Sequence, residues 1–326
     1  MVVSEVRTGC DAVFPGCVRW QARVTYERKA WDDEILWFDV PSRFEPDLTA
    51  SGNPWLLCLL PLAMSLGERL QISLPLDPTL FRHAEEIMRL WRCWHPPLQP
   101  IEIEAGGFAL ARAPAAGKLA SFFTGGVDAF FTALHHDEAV RGRSLPGERV
   151  IDELLYVVGL DVWLRNPESF QHRIQVLRQI ATELGKELVV LATNLRDSRL
   201  STLDYGALWH GCALGASALL LEGRYGEVLL SSSHDYRNAF PWGSHMTLDP
   251  LMSTSATRFV HYGAGFTRFE KTRFIAEHDL ALRHLHVCWR GESPGNCSQC
   301  PKCFRTLLAL DLLGKLPQAR SFDRSH

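Results

Sequence analysis

Two stretches of the chain carry residue types whose spacing could do chemistry. The first is "TGGVD" at residues 124–128, between an apolar run and a helix-like pattern. Gly125 and Gly126 have no Cβ, so an anion could come close to the backbone. Free N–H groups and the positive end of the following helix would then hold it. Asp128 could bind Mg²⁺ or order the loop. The same residues also suit a plain strand-to-helix turn, in which glycine only relieves crowding. The Walker pattern is absent: Gly117-Lys118 lacks both the first Gly and the Ser/Thr, and G-x-G-x-x-G is missing too. A phosphate site here must be of another kind.

The second stretch is "CWRGESPGNCSQCPKC", with spacing C-x8-C-x2-C-x2-C over Cys288, Cys297, Cys300 and Cys303. Four thiolates suit a tetrahedral Zn²⁺, and the Gly and Pro residues between them let the chain wrap. An iron–sulfur cluster or free thiols are the other uses of such a set. A closed four-cysteine site has no open position, so its role is folding. Cys10, Cys17, Cys58, Cys93 and Cys212 are read as small packed hydrophobes. His210 reads as a packed helical histidine. Ser231, Ser232, Ser233, His245 and Asp249 lie at or after a strand end, where turn residues and functional ones both occur. "GSHM" has no nucleophile elbow, which disfavours a serine hydrolase.

These residues need a scaffold. Before residue 115, "CVRWQARVTYERKAW" and "EILWFDV" alternate like paired strands. "NPWLLCLLPLAMSLG" and "DPTLFRHAEEIMRLWRCW" read as helices, the second opened by Asp77 and Pro78. "PIEIEAGGFALAR" returns to strand, and "APAAGK" is a linker. Beyond it, apolar strands alternate with long helices: "LASFF", "ELLYVVGLD", "ELVVLATN" and "EVLLSSS" are the strands. That rhythm implies a parallel sheet covered on both faces, with ligands beyond the C-terminal strand ends. Three expected parts follow: an N-terminal α+β module (1–115), an α/β domain (116–280) and a four-cysteine segment with a helix (281–326). The fold class is α/β, with a Rossmann-like parallel sheet.

The 326 residues carry 34 Lys plus Arg and 37 Asp plus Glu. Near-neutrality argues against a protein that coats nucleic acid. No apolar run is long enough to span a membrane, and the start lacks the basic-then-apolar order of a secretory signal. The expected location is the cytoplasm, where nine cysteines are thiols or metal ligands. The Trp residues between 20 and 93 lack basic interleaving, so they read as core.

"TGGVDA" at the end of the first alternating strand resembles the SGGxDS loop of the PP-loop ATP pyrophosphatases, with Thr124 for the first Ser and Ala129 for the last. The following C-x8-C-x2-C-x2-C cluster is similar to that of one branch, the 7-cyano-7-deazaguanine synthases. Those enzymes use ATP and ammonia to turn a carboxylate into a nitrile. The likeness covers roughly residues 117–313; the first 115 have no counterpart in the short enzymes of that branch. It implies an adenine nucleotide alpha hydrolase-like fold and an AMP-forming ligase. Thr124, Gly125, Gly126, Val127 and Asp128 would hold the pyrophosphate part of ATP and Mg²⁺. Asp161 would lie near adenine and substrate, and Lys271 in "FEKTRFIAE" would neutralise phosphate charge. Arg305 matches a basic residue after the last Cys, and the four cysteines would bind structural Zn²⁺. The implied partners are a carboxylate or modified-base substrate, an amine donor, a protein partner at the N-terminal module and a second copy of the chain in a homodimer. Some relatives with an added module are associated with antiphage systems. Two other readings stay open: a non-catalytic nucleotide- or protein-binding module with a degenerate loop, and a tRNA-base-modifying enzyme. The second needs an exposed cysteine pair, for which Cys212 is a poor candidate.

Overall fold

The computed structural model describes residues 1–9, 11–28, 30–113, 117–143, 145–290 and 295–323. Cys10 and residues 114–116 of the expected linker lie outside the described residues. In chain order the elements begin with β1 (Val2–Gly9), β2 (Cys17–Thr25), β3 (Glu34–Pro41), α1 (Asn53–Leu66), β4 (Leu70–Ile72), α2 (Pro78–Trp94) and β5 (Ile103–Ala105). They continue with β6 (Lys118–Phe122), α3 (Val127–Arg143), β7 (Glu153–Val158), α4 (Pro167–Glu183), β8 (Glu187–Thr193), α5 (His210–Leu219), β9 (Tyr225–Ser231) and β10 (Arg258–Tyr262). The last helices are α6 (Arg268–Ile275), α7 (Asp279–His284) and α8 (Pro301–Leu312). The class is α/β, as the alternation predicts.

Two compact units divide the chain. The first takes Met1–Lys118, Val190–Leu230 and Phe240–His261. Its strands run in the neighbour order β3-β2-β1-β4-β5, with β9 beside β10. β1–β2 and β2–β3 are antiparallel, while β1–β4 and β4–β5 are parallel. β3 also pairs antiparallel with β8, at Phe38↔Thr193 and Asp39↔Ala192. The strands before residue 115 pair as their alternation predicts, and the departure from the expected parallel sheet is that β8 joins them antiparallel. The antiparallel hand-off from β3 to β8 joins residues more than 150 positions apart, which no local pattern reveals.

Helix α1 explains itself by composition: twelve of its fourteen residues are buried, so it is apolar all round instead of amphipathic. Trp55 on α1 stacks on Trp20 of β2 at 4.7 Å, and both are buried. Trp91 is buried too. Cys58 and Cys212 are fully buried, as their reading as small hydrophobes requires. Cys93 is a correction: it is exposed, because it falls on the outer face of α2. The turn that leads into α5 is π-helical, Tyr205–Trp209, capped by the Asp204 carboxylate. His210 is packed as expected: its Nδ1 lies 2.9 Å from the Gly206 carbonyl, which fixes the proton on Nδ1.

A buried polar chain holds this unit together. Asp77 caps α2, accepting from the amides of Thr79 and Leu80. It also accepts from the amides of Ala111 and Ser255 and from the Ser255 hydroxyl. Its own amide donates to Asn53 Oδ1, and Asn53 Nδ2 donates to Glu222. Five donors overcome the burial that opposes ionisation, and the Asp77 carboxyl titrates below its ordinary value.

The second unit takes Leu119–Val189, Ser231–Ala239 and Tyr262–His326. β6 and β7 are parallel there, and every residue of β7 is buried.

We expect Asp77→Ala to lower unfolding free energy by about 1–2 kcal/mol, the loss typical of a helix cap. Because the folded pKa is depressed, this contribution is full above the unfolded value of 3.8. It is lost as pH falls through the folded value. Urea melts at pH 7 and pH 3 check both points: the gap between variant and wild type must narrow on acidification.

Candidate functional site

The glycine loop leaves β6 and enters α3, whose first-turn amides have no intrahelical partner. Two carbonyls of the loop are tied. The buried Arg173 guanidinium on α4 donates to Thr124 O, and the His286 amide donates to Gly125 O at 2.8 Å. A trans peptide is planar, with N–H opposite C=O. Tying the two oxygens therefore turns the Gly125 and Gly126 amides to the opposite side, and neither has an acceptor among the described residues. Together with the α3 terminus this leaves a run of backbone donors without acceptors, the kind of group a backbone anion site uses.

The two glycines are not equivalent. Gly125 has φ +74, and a Cβ there would meet Arg173 Nη2 at 2.2 Å. Gly126 has no neighbour closer than 3.6 Å to such an atom. Gly125 is required by backbone conformation and crowding, whereas a Cβ at Gly126 would make only ordinary van der Waals contact.

Asp128, in the first turn of α3, meets two cations. Its Oδ2 is 2.8 Å from Arg268 and its Oδ1 is 3.5 Å from Lys271. Both come from α6, which begins with a reciprocal capping box between Thr267 and Glu270. Lys271 is 1 % exposed. Its Nζ also donates to Ser232 O and Ser232 Oγ, each at 2.6 Å. Three donors thus face three acceptors. Burial lowers the Lys271 pKa from its ordinary value, Asp128 resists this, and Arg268 adds to it.

Asp161 is placed differently. It sits exposed in the turn after β7 and makes no hydrogen bond or ion pair among the described residues. Its field reaches Arg173, whose pKa burial pushes down to about 10. His286 is driven to about 3 by burial and by Arg173, so it is neutral at pH 7. Arg173 has no carboxylate within ion-pair distance among the described residues. Residues 170, 173, 174 and 177 share the buried face of α4, and an Arg on that apolar stripe was the signal that sequence reading missed.

Of the serines after β9, Ser232 reaches this site. Ser244, His245 and Asp249 instead form a structural knot in the first unit. The fully buried Asp249 accepts from Ser244 Oγ (2.7 Å), the His245 amide (3.1 Å) and His261 Nδ1 (2.6 Å).

The four cysteines come together. The sulfurs of Cys288, Cys297, Cys300 and Cys303 lie within 4.8 Å of one another, and could hold a metal ion. A tetrahedron with metal–sulfur bonds of about 2.3 Å has edges of about 3.8 Å, so little contraction is needed. The Cys300 amide points at Cys297 Sγ (3.3 Å) and the Cys303 amide at Cys300 Sγ (3.5 Å). Burial opposes ionisation of Cys297, but the Gln299 and Cys300 amides bring it down to about 6. Ser298, at φ +58, makes the tight turn between Cys297 and Cys300. Asn296 clasps the cluster: it accepts from the Val287 and Cys288 amides and donates to Leu285 O and Ser321 O. Residues 291–294 lie outside the described residues.

No protein-family model matches this chain, and no curated protein matches it.

Gly125→Ala must force an L-residue into the left-handed region against Arg173, whereas Gly126→Ala meets only ordinary contacts at 3.6 Å. We expect the first to cost on the order of 1–3 kcal/mol of stability and the second well under half of that. Equal midpoints in thermal melts of the two variants would contradict this account of the loop.

Proposed function

We propose that the chain is an ATP-dependent, AMP-forming ligase of the PP-loop type. It joins a carboxylate to ammonia or another amine to give an amide or nitrile. The observation that carries the reading is the glycine loop: its carbonyls are anchored from behind, its amides are free, and the Asp128–Lys271 pair stands at the first turn of α3. The resemblance to the 7-cyano-7-deazaguanine synthases rests on that loop and the cysteine spacing together, and implies a 7-deazaguanine-type acid or a defence-related modification.

In this reading the Gly125 and Gly126 amides and the α3 terminus hold the pyrophosphate part of ATP, flanked by Thr124 and Val127. Asp128 would hold Mg²⁺ with an oxygen released from its pair with the half-exposed Arg268, and the ion would supply charge neutralisation on the phosphates. A carboxylate oxygen of the acceptor attacks the α-phosphorus, the bond to the bridging oxygen breaks, and pyrophosphate leaves with that electron pair. The amine then attacks the acyl carbon, AMP departs, and the nitrogen loses a proton. A nitrile requires a second ATP: the amide oxygen is adenylated and leaves with AMP as two protons are lost from nitrogen. Lys271 stabilises charge that grows on the leaving phosphate oxygens. Its three N–H bonds go to Asp128 and Ser232, so it acts on the phosphate through its charge and not through a fourth hydrogen bond. The four cysteines hold Zn²⁺ as a structural ion, and the ion does no chemistry.

Two measurements test this. Wild-type protein with ATP, Mg²⁺, ammonia and a panel of carboxylic acids that includes 7-carboxy-7-deazaguanine should yield AMP and pyrophosphate. Asp128→Asn should slow this on the order of 100-fold with unchanged circular dichroism. Release of ADP, or full activity in the variant, contradicts the proposal. Elemental analysis should find about one zinc per chain, absent from Cys300→Ser, which should also melt at a lower temperature because metal binding is folding free energy. Iron in place of zinc would contradict the assignment.

A further inference from the structure

A cavity of about 270 Å³ opens between α6 and α8 of the second unit. Its walls are apolar: Phe269, Val287, Leu308 and Leu312 line it. Among the described residues its charged groups are all cations, namely Arg268, Lys302 and Arg305. The two hydroxyls present, on Thr272 and Thr306, are bonded back to carbonyls of their own helices. Among the described residues, no carboxylate or amide side chain lines it.

Two features give this cavity a purpose. Helix α8 buries Cys303, Thr306 and Leu310 and turns Leu308 (50 % exposed) and Leu312 (71 %) outward, beside Phe269 (43 %). Soluble proteins seldom leave such a cluster bare without a ligand to cover it. Arg268 also belongs to both sites: it lines the cavity while its Nη2 stays 2.8 Å from Asp128 Oδ2. A guanidinium has five N–H donors, so the bond to Asp128 leaves others for a second anion.

We propose that this cavity is the acceptor site, and that it takes a carboxylic acid with an aromatic or branched aliphatic body. The proposal rests on the ligase reading above and narrows its substrate class. The basic groups capture the carboxylate, and Arg268 brings it towards the loop that would hold ATP. The apolar walls take the body of the acid. A guanine-type base fits poorly, because its several ring N–H and amino donors would find only the Thr272 and Thr306 hydroxyl oxygens as side-chain acceptors among the described residues. The volume falls a little below the roughly 300 Å³ at which drug-sized pockets begin, which selects a small acid.

The test uses full-length protein with 2-naphthoate and its uncharged analogue 2-naphthamide, titrated by calorimetry without ATP. Naphthoate should bind about tenfold tighter than the amide, as a charge-assisted contact requires. Ala309→Phe, which fills the cavity from α8, should abolish both. Leu308→Glu sits at an exposed position that folding tolerates, and should weaken naphthoate far more than naphthamide. Absence of naphthoate binding, equal affinity for the two probes, or indifference to both substitutions overturns the proposal. Activation of 7-carboxy-7-deazaguanine at the same rate in wild type and Ala309→Phe also overturns it, and leaves the ligase reading intact. Naphthoate seated by these criteria while ATP remains uncleaved with every acid in the panel keeps an acid-binding site and removes the ligase reading.

Discussion

The candidate site depends on where two carbonyl oxygens go. A strand that passes into a helix through glycines must satisfy its backbone groups in little space. Here Thr124 O and Gly125 O are both taken from one side, by Arg173 and by the His286 amide. The amides on the other side are thereby fixed by the two bonds that their own peptide units make. His286 stands two residues before Cys288, and Asn296 binds the amides of Val287 and Cys288. The cysteine cluster is thus mechanically joined to the glycine loop through three consecutive residues. A metal bound there would stiffen the segment that holds Gly125 O.

Electrostatics in the second unit follow from the same crowding. Arg173 is buried with a single carbonyl as its acceptor, an expensive arrangement for a cation. Its field helps to keep His286 neutral. Lys271 is buried as well, but its three acceptors offset much of the desolvation. Arg268 is about half exposed, so its pair with Asp128 is screened and easily rearranged. The site therefore combines fixed cations behind and beside the loop with one adaptable cation in front.

Much of this was legible in the sequence. Alternation predicted the α/β class, Asp77 announced a helix start, and the cysteine spacing predicted a cluster that the structure brings within metal-binding range. "TGGVD" identified the loop and Asp128, and the Lys271 helix was placed by resemblance. What stayed hidden was relational. Arg173 is 48 positions beyond Gly125 and looks like one more charge on an amphipathic helix, until its neighbours Phe170, Ile174 and Leu177 show that its face is buried. Arg268 and the cavity beside it depend on how α6 meets α8, which spacing along one helix does not encode. The exposure of Cys93 and the short β4 and β5 strands reflect tertiary context overriding local composition.

The β3–β8 pairing has a consequence during synthesis. The Trp37 amide bonds Asn194 Oδ1 across a separation of 157 residues. At ribosomal rates of about 5–20 residues per second, β3 waits roughly 8–30 s for its partner to emerge. Throughout that interval its apolar "EILWFDV" edge is an unpaired template, open to strands of other nascent chains. The three-stranded meander can form early, but its last edge closes only when the second half of the chain arrives. Yield in a host cell should thus be governed by chaperone capacity and translation speed more than by the stability of the finished fold.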